Sequence, residues 1–303
     1  MKTRFLTAIT IFLCVLIPLN AHAQLKIVST TSQIGDLVKN ISGEYNKIDI
    51  LMGTGVDPHL YQPTRGDISK LIQADIIFYN GKNLEGRMVE LLEKLAKRKT
   101  VIAIADHIDQ TTLISKLGKT EVDPHIWMDV NHWINAAATI TKTLESHDCK
   151  NGVVYIKNQN TLLIELNKLD TYAQTMFDTI PDNQKILITA HDAFGYLQKA
   201  YGIEVVGIQG ISTESEAGIK RIQELVEFII TRKVPAIFVE SSVGDHNIKA
   251  IIEGAQARGF DLKIGGELFS DAMGQANTPE GTYIGMMKHN IKTISTALGG
   301  NVQ

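Results

Sequence analysis

Apolar and polar residues alternate along the chain with two periods. Short apolar runs, which are typical of buried strands, are separated by longer segments in which apolar residues recur every three or four positions, as on one face of a helix. Strands are predicted at residues 26–29, 48–52, 76–79, 101–104, 185–189, 204–208, 235–239 and 261–264. Helices are predicted at residues 32–41, 64–74, 84–97, 131–146, 153–178, 195–201, 214–232, 247–258 and 279–298. This alternation indicates βαβ units with parallel sheets, and hence an α/β fold.

The segment 153–178 is the longest predicted helix, because no Gly or Pro interrupts it before Pro181. At 1.5 Å per residue it would be roughly 40 Å long, enough to run along two domains. We therefore predict two lobes, each a mostly parallel sheet flanked by helices, joined by one long helix. Periodicity alone fits an ordinary packed helix within one domain equally well. The predicted division is a signal peptide at 1–23, an N-terminal lobe at 24–150, the linking helix at 151–180 and a C-terminal lobe at 181–303.

The N-terminal segment has the pattern of a secretory signal peptide. Lys2 and Arg4 precede an apolar run at 5–19, and a small-residue cleavage site ends at Ala23. The run is too short to span a bilayer and no second one follows, so we expect no membrane span. The bulky residue before Cys14 argues against a lipid-modified cysteine there. These features predict an exported, soluble protein, most simply periplasmic.

The net charge and the cysteine content limit the kinds of ligand and binding site that the protein can have. Cleavage would remove Lys2 and Arg4 from the 30 Lys and Arg, leaving 28 against 33 Asp and Glu, a net charge near −5. Nothing in this charge balance favours nucleic-acid binding. Cys149 would be the only remaining cysteine, which excludes a disulfide framework. Any bound metal would have to be held by His and carboxylate side chains.

The tripeptide Asp-Pro-His occurs twice, at 57–59 and at 123–125. Proline restricts its own φ and the preceding residue, and an Asp side chain can close a turn by accepting from nearby backbone amides. The motif therefore places an imidazole on a stiff loop, as a metal site requires. A third histidine, His191, follows the strand predicted at 185–189. Each histidine taken alone is more often a core or surface residue than a ligand.

In open α/β sheets, ligands bind beyond the carboxyl ends of the strands. His59, His191 and Asp271 closely follow predicted strands, and His125 lies on the loop beyond another, so each lobe would supply two ligands. Three imidazoles and one carboxylate suit Zn²⁺ or Mn²⁺, and Fe²⁺ less well. Four protein ligands leave little room for the water that hydrolytic zinc needs, which favours binding over catalysis.

Three other acidic residues can each be interpreted in two ways. Asp57 and Asp123 either orient the imidazoles or, more simply, form the turns before Pro. Glu240, at a strand end, either points into the cleft between the lobes or serves as a helix cap or hydrogen-bonding partner. The glycine-containing segment 207–213 lacks the lysine and the spacing of phosphate-binding loops. We interpret the remaining residues as surface or packing residues: His107, His132, His147, His246, His289, Trp127 and Trp133.

Six segments in order resemble the metal-binding subunits of zinc/manganese ABC importers, the group that includes the treponemal metal receptor and the streptococcal surface antigens. They are the two Asp-Pro-His motifs, the second continuing Ile-Trp, then Ala-His-Asp-Ala-Phe-Gly-Tyr at 190–196, Gly-Ile-Gln-Gly-Ile-Ser-Thr at 207–213, Phe-Val-Glu-Ser-Ser at 238–242 and Leu-Phe-Ser-Asp at 268–271. Each segment alone is weakly specific for the family, but the occurrence of all six in order is strong evidence for the resemblance. The resemblance covers essentially the whole mature chain.

The resemblance implies a metal buried between two α/β lobes and delivery to a membrane permease driven by a cytoplasmic ATPase. It places the ligands at His59, His125, His191 and Asp271. Two differences from the family's patterns leave the identity of the metal undecided. Zinc-dedicated members usually carry a His- and acid-rich loop before the second ligand, whereas here 106–122 contains only His107. Manganese-dedicated members usually have Glu as the third ligand, where this chain has His191.

Two other functions compete with a transport receptor. A zinc-dependent hydrolase would need a metal-bound water and a general base, and the chain has neither a His-Glu-x-x-His pair nor a Ser nucleophile motif. A metal-binding surface adhesin has no sequence support beyond export. We therefore predict a receptor rather than an enzyme, and nothing in the sequence indicates more than a monomer.

Overall fold

The computed structural model describes residues 24–115 and 121–301. The predicted signal peptide at 1–23 and its cleavage site lie outside these residues. The described chain is built from parallel β-sheets flanked by helices, so the predicted α/β class is confirmed. Among the described residues, no helix combines the length and apolar character needed to cross a bilayer.

The N-terminal lobe is organised around a four-stranded parallel sheet. Its strands lie in the order β2-β1-β3-β4. They are β1 (Lys26–Ser29), β2 (Lys47–Ile50), β3 (Ile76–Tyr79) and β4 (Thr100–Ala103). Its helices are α1 (Ser32–Ser42), α2 (Arg65–Gln73), α3 (Val89–Ala96) and α4 (Val130–His147). Since all four strands run the same way, the loops that follow them leave at one edge of the sheet.

The C-terminal lobe contains two parallel strand pairs that lie side by side. β5 (Ile186–Thr189) pairs with β6 (Glu204–Gly207), β7 (Ala236–Glu240) pairs with β8 (Lys263–Leu268), and β5 packs beside β7. The helices of this lobe are α6 (Gly195–Tyr201), α7 (Ile219–Arg232), α8 (His246–Ala257) and α9 (Tyr283–Ala297). The strand sequence across the lobe is therefore β6-β5-β7-β8.

The long helix α5 (Gly152–Asp178) both connects the lobes and packs as an ordinary core helix. It packs against α1 and α4 of the first lobe and α9 of the second. One apolar stripe is buried, at Tyr155, Leu162, Leu166, Leu169 and Ala173. Residues of both lobes join this stripe in one hydrophobic core. The helix therefore links the two lobes, as predicted, and does not lie within one of them.

Some predicted boundaries are wrong. The helix predicted from 214 begins only at Ile219, because Gly218 is in an extended conformation at its N-cap. The segment 210–218 is instead a loop that reaches the other lobe. The helix predicted at 84–97 is a 3₁₀ turn (Gly86–Met88) followed by α3, and the last strand extends to Leu268.

Buried contacts join the lobes beneath the cleft. Tyr283 of α9 stacks on Trp133 of α4 with ring centroids 5.1 Å apart, and its hydroxyl donates to the Trp127 carbonyl at 2.7 Å. The Trp127 indole N–H donates to the Ser270 carbonyl of the C-terminal lobe at 2.9 Å. Both tryptophans are buried, as expected. The loops that carry His125 and Asp271 are therefore joined by buried contacts.

Candidate metal centre

The first Asp-Pro-His motif forms a closed turn after β2. The Asp57 carboxylate accepts a hydrogen bond from the His59 backbone N–H at 2.8 Å, as the turn interpretation predicted. Its other oxygen accepts a hydrogen bond from the Thr213 hydroxyl of the C-terminal lobe. His59 is only 3% exposed. This turn therefore holds a buried imidazole and contacts the opposite lobe.

The second motif is held more tightly. A single Asp123 oxygen accepts from both the backbone N–H of His125 at 2.9 Å and its Nδ1 at 2.7 Å, so Asp123 closes the turn and also orients the ring. The Asn80 amide donates to the Pro124 carbonyl at 2.8 Å, and the Tyr196 hydroxyl donates to the Asp123 carbonyl at 2.7 Å. His125 is fully buried, with Nε2 left to face the cleft.

The C-terminal lobe supplies the other two residues. His191 lies two positions beyond β5, and Glu240 accepts from its backbone N–H at 2.9 Å and from Nδ1 at 2.6 Å. Asp271 lies three positions beyond β8, on a segment where the Asn290 side chain bonds both the N–H and the carbonyl of Phe269. His191 and Asp271 are at most 2% exposed.

The four predicted residues converge at one point. The His59 and His125 Nε2 atoms are 3.4 Å apart, and the Asp271 carboxylate lies 3.2 Å from His191 Nε2, 3.4 Å from His125 Nε2 and 3.8 Å from His59 Nε2. One ligand atom from each residue lies within 4.8 Å of all the others. Tetrahedral coordination at the usual 2.0–2.2 Å places ligand atoms roughly 3.3–3.6 Å apart. The spacing therefore suits one small cation.

Three atoms of the cluster lack hydrogen-bond partners. Both Asp271 carboxylate oxygens and His191 Nε2 are buried and make no hydrogen bond of acceptable geometry. Leaving such a buried polar atom unpaired costs about 1–3 kcal/mol. A cation held between these atoms would satisfy all three, so the residues fit a divalent metal.

Burial and neighbouring carboxylates act in opposite directions on the charge of each imidazole. Burial lowers the pKa of His59 to about 4, despite the opposing effect of Asp271. Burial also acts to lower the pKa of His125, but Asp123 and Asp271 outweigh it and raise that pKa to about 9. In the same way Glu240 and Asp271 hold the pKa of His191 well above its ordinary value. Without metal at neutral pH, two imidazoles are protonated and the third is neutral.

The Asp271 carboxyl is held in its charged form. Burial acts to raise its pKa, but the nearby His191 and His125 imidazoles outweigh burial and keep the pKa well below its ordinary range. The centre therefore retains an anionic oxygen donor throughout the neutral pH range.

The other five histidines among the described residues lie outside the cluster. His107, His147 and His246 are exposed. His132 is buried against Tyr196 with ring centroids 5.0 Å apart, and His289 packs against Phe269 at 5.1 Å. Their predicted surface or packing placement agrees with these positions.

The glycine-containing segment 207–213 supports the turn at His191. A Cβ atom at Gly207 would lie 2.6 Å from the backbone nitrogen of Asp192, so this close approach requires glycine. The Asp192 N–H donates to the Gly210 carbonyl, and the Gln209 N–H donates to the Ala190 carbonyl. The glycine serves backbone packing behind a cluster residue.

Sequence reasoning did not identify three supporting residues. Asn80 and the fully buried Glu85, which accepts from the Thr30 hydroxyl and the Asn80 N–H, hold the loop of His125. Thr213 bonds Asp57 across the lobes. Their partners lie 5 to 156 positions away, so no local motif marks them.

The chain is similar to known proteins over nearly its whole length. Residues 27–297 match the family model of ZnuA, the periplasmic zinc-uptake complex component A. The chain is 42% identical over 280 residues to the manganese-binding lipoprotein MntA of Bacillus subtilis, covering 92% of this chain and 91% of that protein. It is 45% identical over 276 residues to the zinc-binding protein TroA of Treponema pallidum, covering 90% and 88%.

Solved structures show the same architecture. The periplasmic zinc binding protein TroA from Treponema pallidum superposes with a TM-score of 0.89 at 44% identity, covering 91% of this chain and 99% of that one. Fe(III)-bound YtgA from Chlamydia trachomatis superposes with a TM-score of 0.84 at 26% identity, covering 92% and 100%. By its motifs, its two-lobed fold and these matches, the chain belongs to the ZnuA family of metal-binding subunits of zinc and manganese ABC importers.

Proposed function

We propose that this protein captures Mn²⁺ or Zn²⁺ with His59, His125, His191 and Asp271 and delivers the ion to the permease of an ABC importer. The observation that carries the proposal is the convergence of four buried side chains from two lobes, in which His191 Nε2 and both Asp271 oxygens lack hydrogen-bond partners. Binding between lobes encloses the ion, and separation of the lobes would release it.

The donor set supports both metals. Three imidazole nitrogens and one carboxylate form a borderline site that suits Zn²⁺ and Mn²⁺, with Fe²⁺ a weaker candidate. The relatives are named for manganese and for zinc in turn. Because Zn²⁺ binds such donors more tightly than Mn²⁺, selectivity would depend on geometry, release or supply.

The family defines the setting in which the receptor works. We propose that it acts outside the cytoplasm as a periplasmic monomer after cleavage near Ala23, and that its permease is driven by a cytoplasmic ATPase. The lobes would comprise 24–150 and 181–303, joined by the linking helix at 151–180.

A receptor accounts for the site better than an enzyme does. Four protein ligands around one ion leave little room for the water that a zinc-dependent hydrolase activates. A metal-binding adhesin would have no need for ligands that are at most 3% exposed. We therefore propose capture and release as the role of the site.

A metal titration tests the proposal. The chelator-stripped mature protein would be titrated with Zn²⁺ and Mn²⁺ separately and in competition, with retained metal measured by elemental analysis. We expect one ion per chain, lost in His59→Ala. No retained ion in the wild-type protein would refute the metal site.

Metal binding should release protons. At pH 7 the raised pKa values of His125 and His191 leave both imidazoles protonated, whereas a ligating imidazole must be neutral. One metal ion therefore replaces two protons, and the buried charge stays unchanged. We expect about two protons released per Zn²⁺, and an affinity that rises about 100-fold per pH unit between pH 6 and 8.

The folding stability of the metal-free protein changes with pH in the opposite direction to metal affinity. The pKa of His125 is raised by folding, so its stabilising effect is complete below pH 6.5 and is lost as pH rises through about 9. Proton release would be measured in weakly buffered solution with a pH indicator, and affinity by competition at each pH. An affinity that is the same at pH 6 and pH 8 would exclude protonated ligands.

The loop 210–218 should slow metal release. Its Thr213 hydroxyl donates to Asp57, next to His59, and the Glu214 carboxylate lies 3.9 Å from Arg87 Nε of the other lobe. The loop is fastened to its own lobe by Glu216, which accepts from Gln209, His246 and Asn247. It therefore crosses the cleft between two fixed ends.

Thr213→Val keeps the side-chain shape and removes the donor. A hydrogen bond to a charged group contributes about 1.5–3 kcal/mol, so we expect metal dissociation to be faster by about tenfold or more. Stopped-flow transfer of the metal to a chromophoric chelator measures this rate. Thr213→Ser retains the hydroxyl and should dissociate like the wild type; equal rates for Val and Ser would show that the bond does not restrain the cleft.

A further inference from the structure

Glu240 occupies the strand between the two ligand-bearing strands of the C-terminal lobe. It is the last residue of β7, which lies beside β5 and pairs with β8. His191 follows β5 and Asp271 follows β8. The Glu240 side chain is completely buried among them. A carboxylate is costly to bury unless its oxygens are satisfied, so its contacts reveal its role.

Both Glu240 oxygens are used on a single residue. Oε1 accepts from the His191 backbone N–H at 2.9 Å, and Oε2 accepts from His191 Nδ1 at 2.6 Å. The second bond places the ring proton on Nδ1 and leaves Nε2, 3.2 Å from the Asp271 carboxylate, as the ligand atom. The two bonds together fix the main chain and the ring of His191 relative to each other.

We propose that Glu240 is a positioning residue that fixes the tautomer and rotamer of His191 and thereby sets the affinity of the metal site. This inference rests on the proposed function. Carboxylates that accept from the distal nitrogen of a ligating histidine orient the ring and increase its basicity, and their removal typically costs about 10- to 100-fold in metal affinity.

The pattern of acceptors makes a carboxylate necessary at Glu240. A glutamine has one acceptor oxygen, so one of its two orientations sets an NH₂ group against the His191 backbone N–H. The other orientation sets the NH₂ group against Nδ1, which then favours the tautomer with the proton on Nε2, the ligand atom. Either arrangement weakens metal binding.

Asp123 bonds His125 as Glu240 bonds His191, but with one oxygen instead of two, so it provides a matched comparison. One Asp123 oxygen accepts both bonds from His125. An asparagine at 123 can keep that oxygen in place, so Asp123→Asn removes a charge beside a ligand without forcing a change of tautomer. Comparing Glu240→Gln with Asp123→Asn therefore separates positioning from loss of charge.

The test uses the wild-type protein, Glu240→Gln and Asp123→Asn, each stripped of metal. Zn²⁺ affinity is measured by competition with a chromophoric chelator, and the coordination geometry is read from the visible absorption spectrum of the Co²⁺-loaded protein. We expect Glu240→Gln to lose about 10- to 100-fold in affinity and to change the Co²⁺ spectrum. Asp123→Asn should lose less affinity and keep the wild-type spectrum.

Wild-type affinity and spectrum in Glu240→Gln would overturn the proposal, as would an equal or greater loss in Asp123→Asn. If Glu240→Gln does not fold, ¹⁵N NMR of the Zn²⁺-loaded wild type tests the proposal by locating the ring proton of His191. The proposal requires that proton to be on Nδ1. A proton on Nε2 would overturn the proposal. A wild-type protein that binds no Zn²⁺ in the same titration would instead refute the proposed function.

Discussion

Replacing Asp271 by Asn should lower the affinity for Zn²⁺ and Mn²⁺ by about 10²- to 10⁴-fold. Asp271 is the only carboxylate in the cluster, and its two oxygens lie 3.2–3.8 Å from the three Nε2 atoms. Asparagine offers one neutral oxygen and turns an NH₂ group toward nitrogen atoms. Removing one member of a buried charge pair costs about 3–5 kcal/mol, which corresponds to that loss of affinity.

Competition titration against a chelator of known affinity measures the effect for each ion. Asp182→Asn is a suitable control, because it removes a carboxylate whose side chain is 98% exposed, and its affinity should equal that of the wild type. Circular dichroism would verify that Asp271→Asn is folded. A folded Asp271→Asn protein with wild-type affinity would remove Asp271 from the ligand set.

Replacing Trp127 by Ala should lower the free energy of unfolding of the metal-free protein by about 3–5 kcal/mol, as for other large buried aromatic residues. The indole is 1% exposed and packs edge-on to His125 with ring centroids 5.3 Å apart. Its N–H donates to the Ser270 carbonyl, next to Asp271. The same substitution should therefore weaken metal binding, since it loosens one ligand in each lobe.

Urea denaturation of the stripped protein measures the change in stability, and the chelator competition measures the change in affinity. Trp127→Phe fills most of the cavity but lacks the N–H donor, so its loss of stability should be smaller, about 1–2 kcal/mol. A Trp127→Ala protein within about 1 kcal/mol of the wild type would show that the lobes are held together by other contacts.

Local pattern predicted much of the architecture. The strand at Ile76–Tyr79 and the helix at Gly195–Tyr201 were predicted at their observed bounds, because each is a compact apolar or amphipathic run between clear breaks. The start of α7 was wrong by five residues, since the polar segment before Ile219 fits a helix locally but bonds to the other lobe. The pattern of apolar residues predicts which side chains are buried, but it does not predict which residues a polar side chain will contact.

The candidate site was predictable because its ligands follow strands. Parallel strands bring the residues after their carboxyl ends together, and on this basis the sequence predicts that His59, His191 and Asp271 lie near one another. Glu240 had two interpretations, and its two bonds to His191 could not be inferred from sequence. That pairing joins residues 49 positions apart and depends on the order in which β5, β7 and β8 lie.

The sequence by itself determined the alternation of strands and helices, the two stiff Asp-Pro-His turns and the identity of four candidate ligands, because each depends on residue type and short-range spacing. Only the tertiary structure decided which buried atoms meet. The distances of 3.4 and 3.8 Å from the Asp271 carboxylate to the imidazoles of the opposite lobe, the Glu240 bonds to His191 and the Thr213 bond to Asp57 all join segments that are far apart in the chain. Long-range packing fixes these contacts, and no local pattern encodes them.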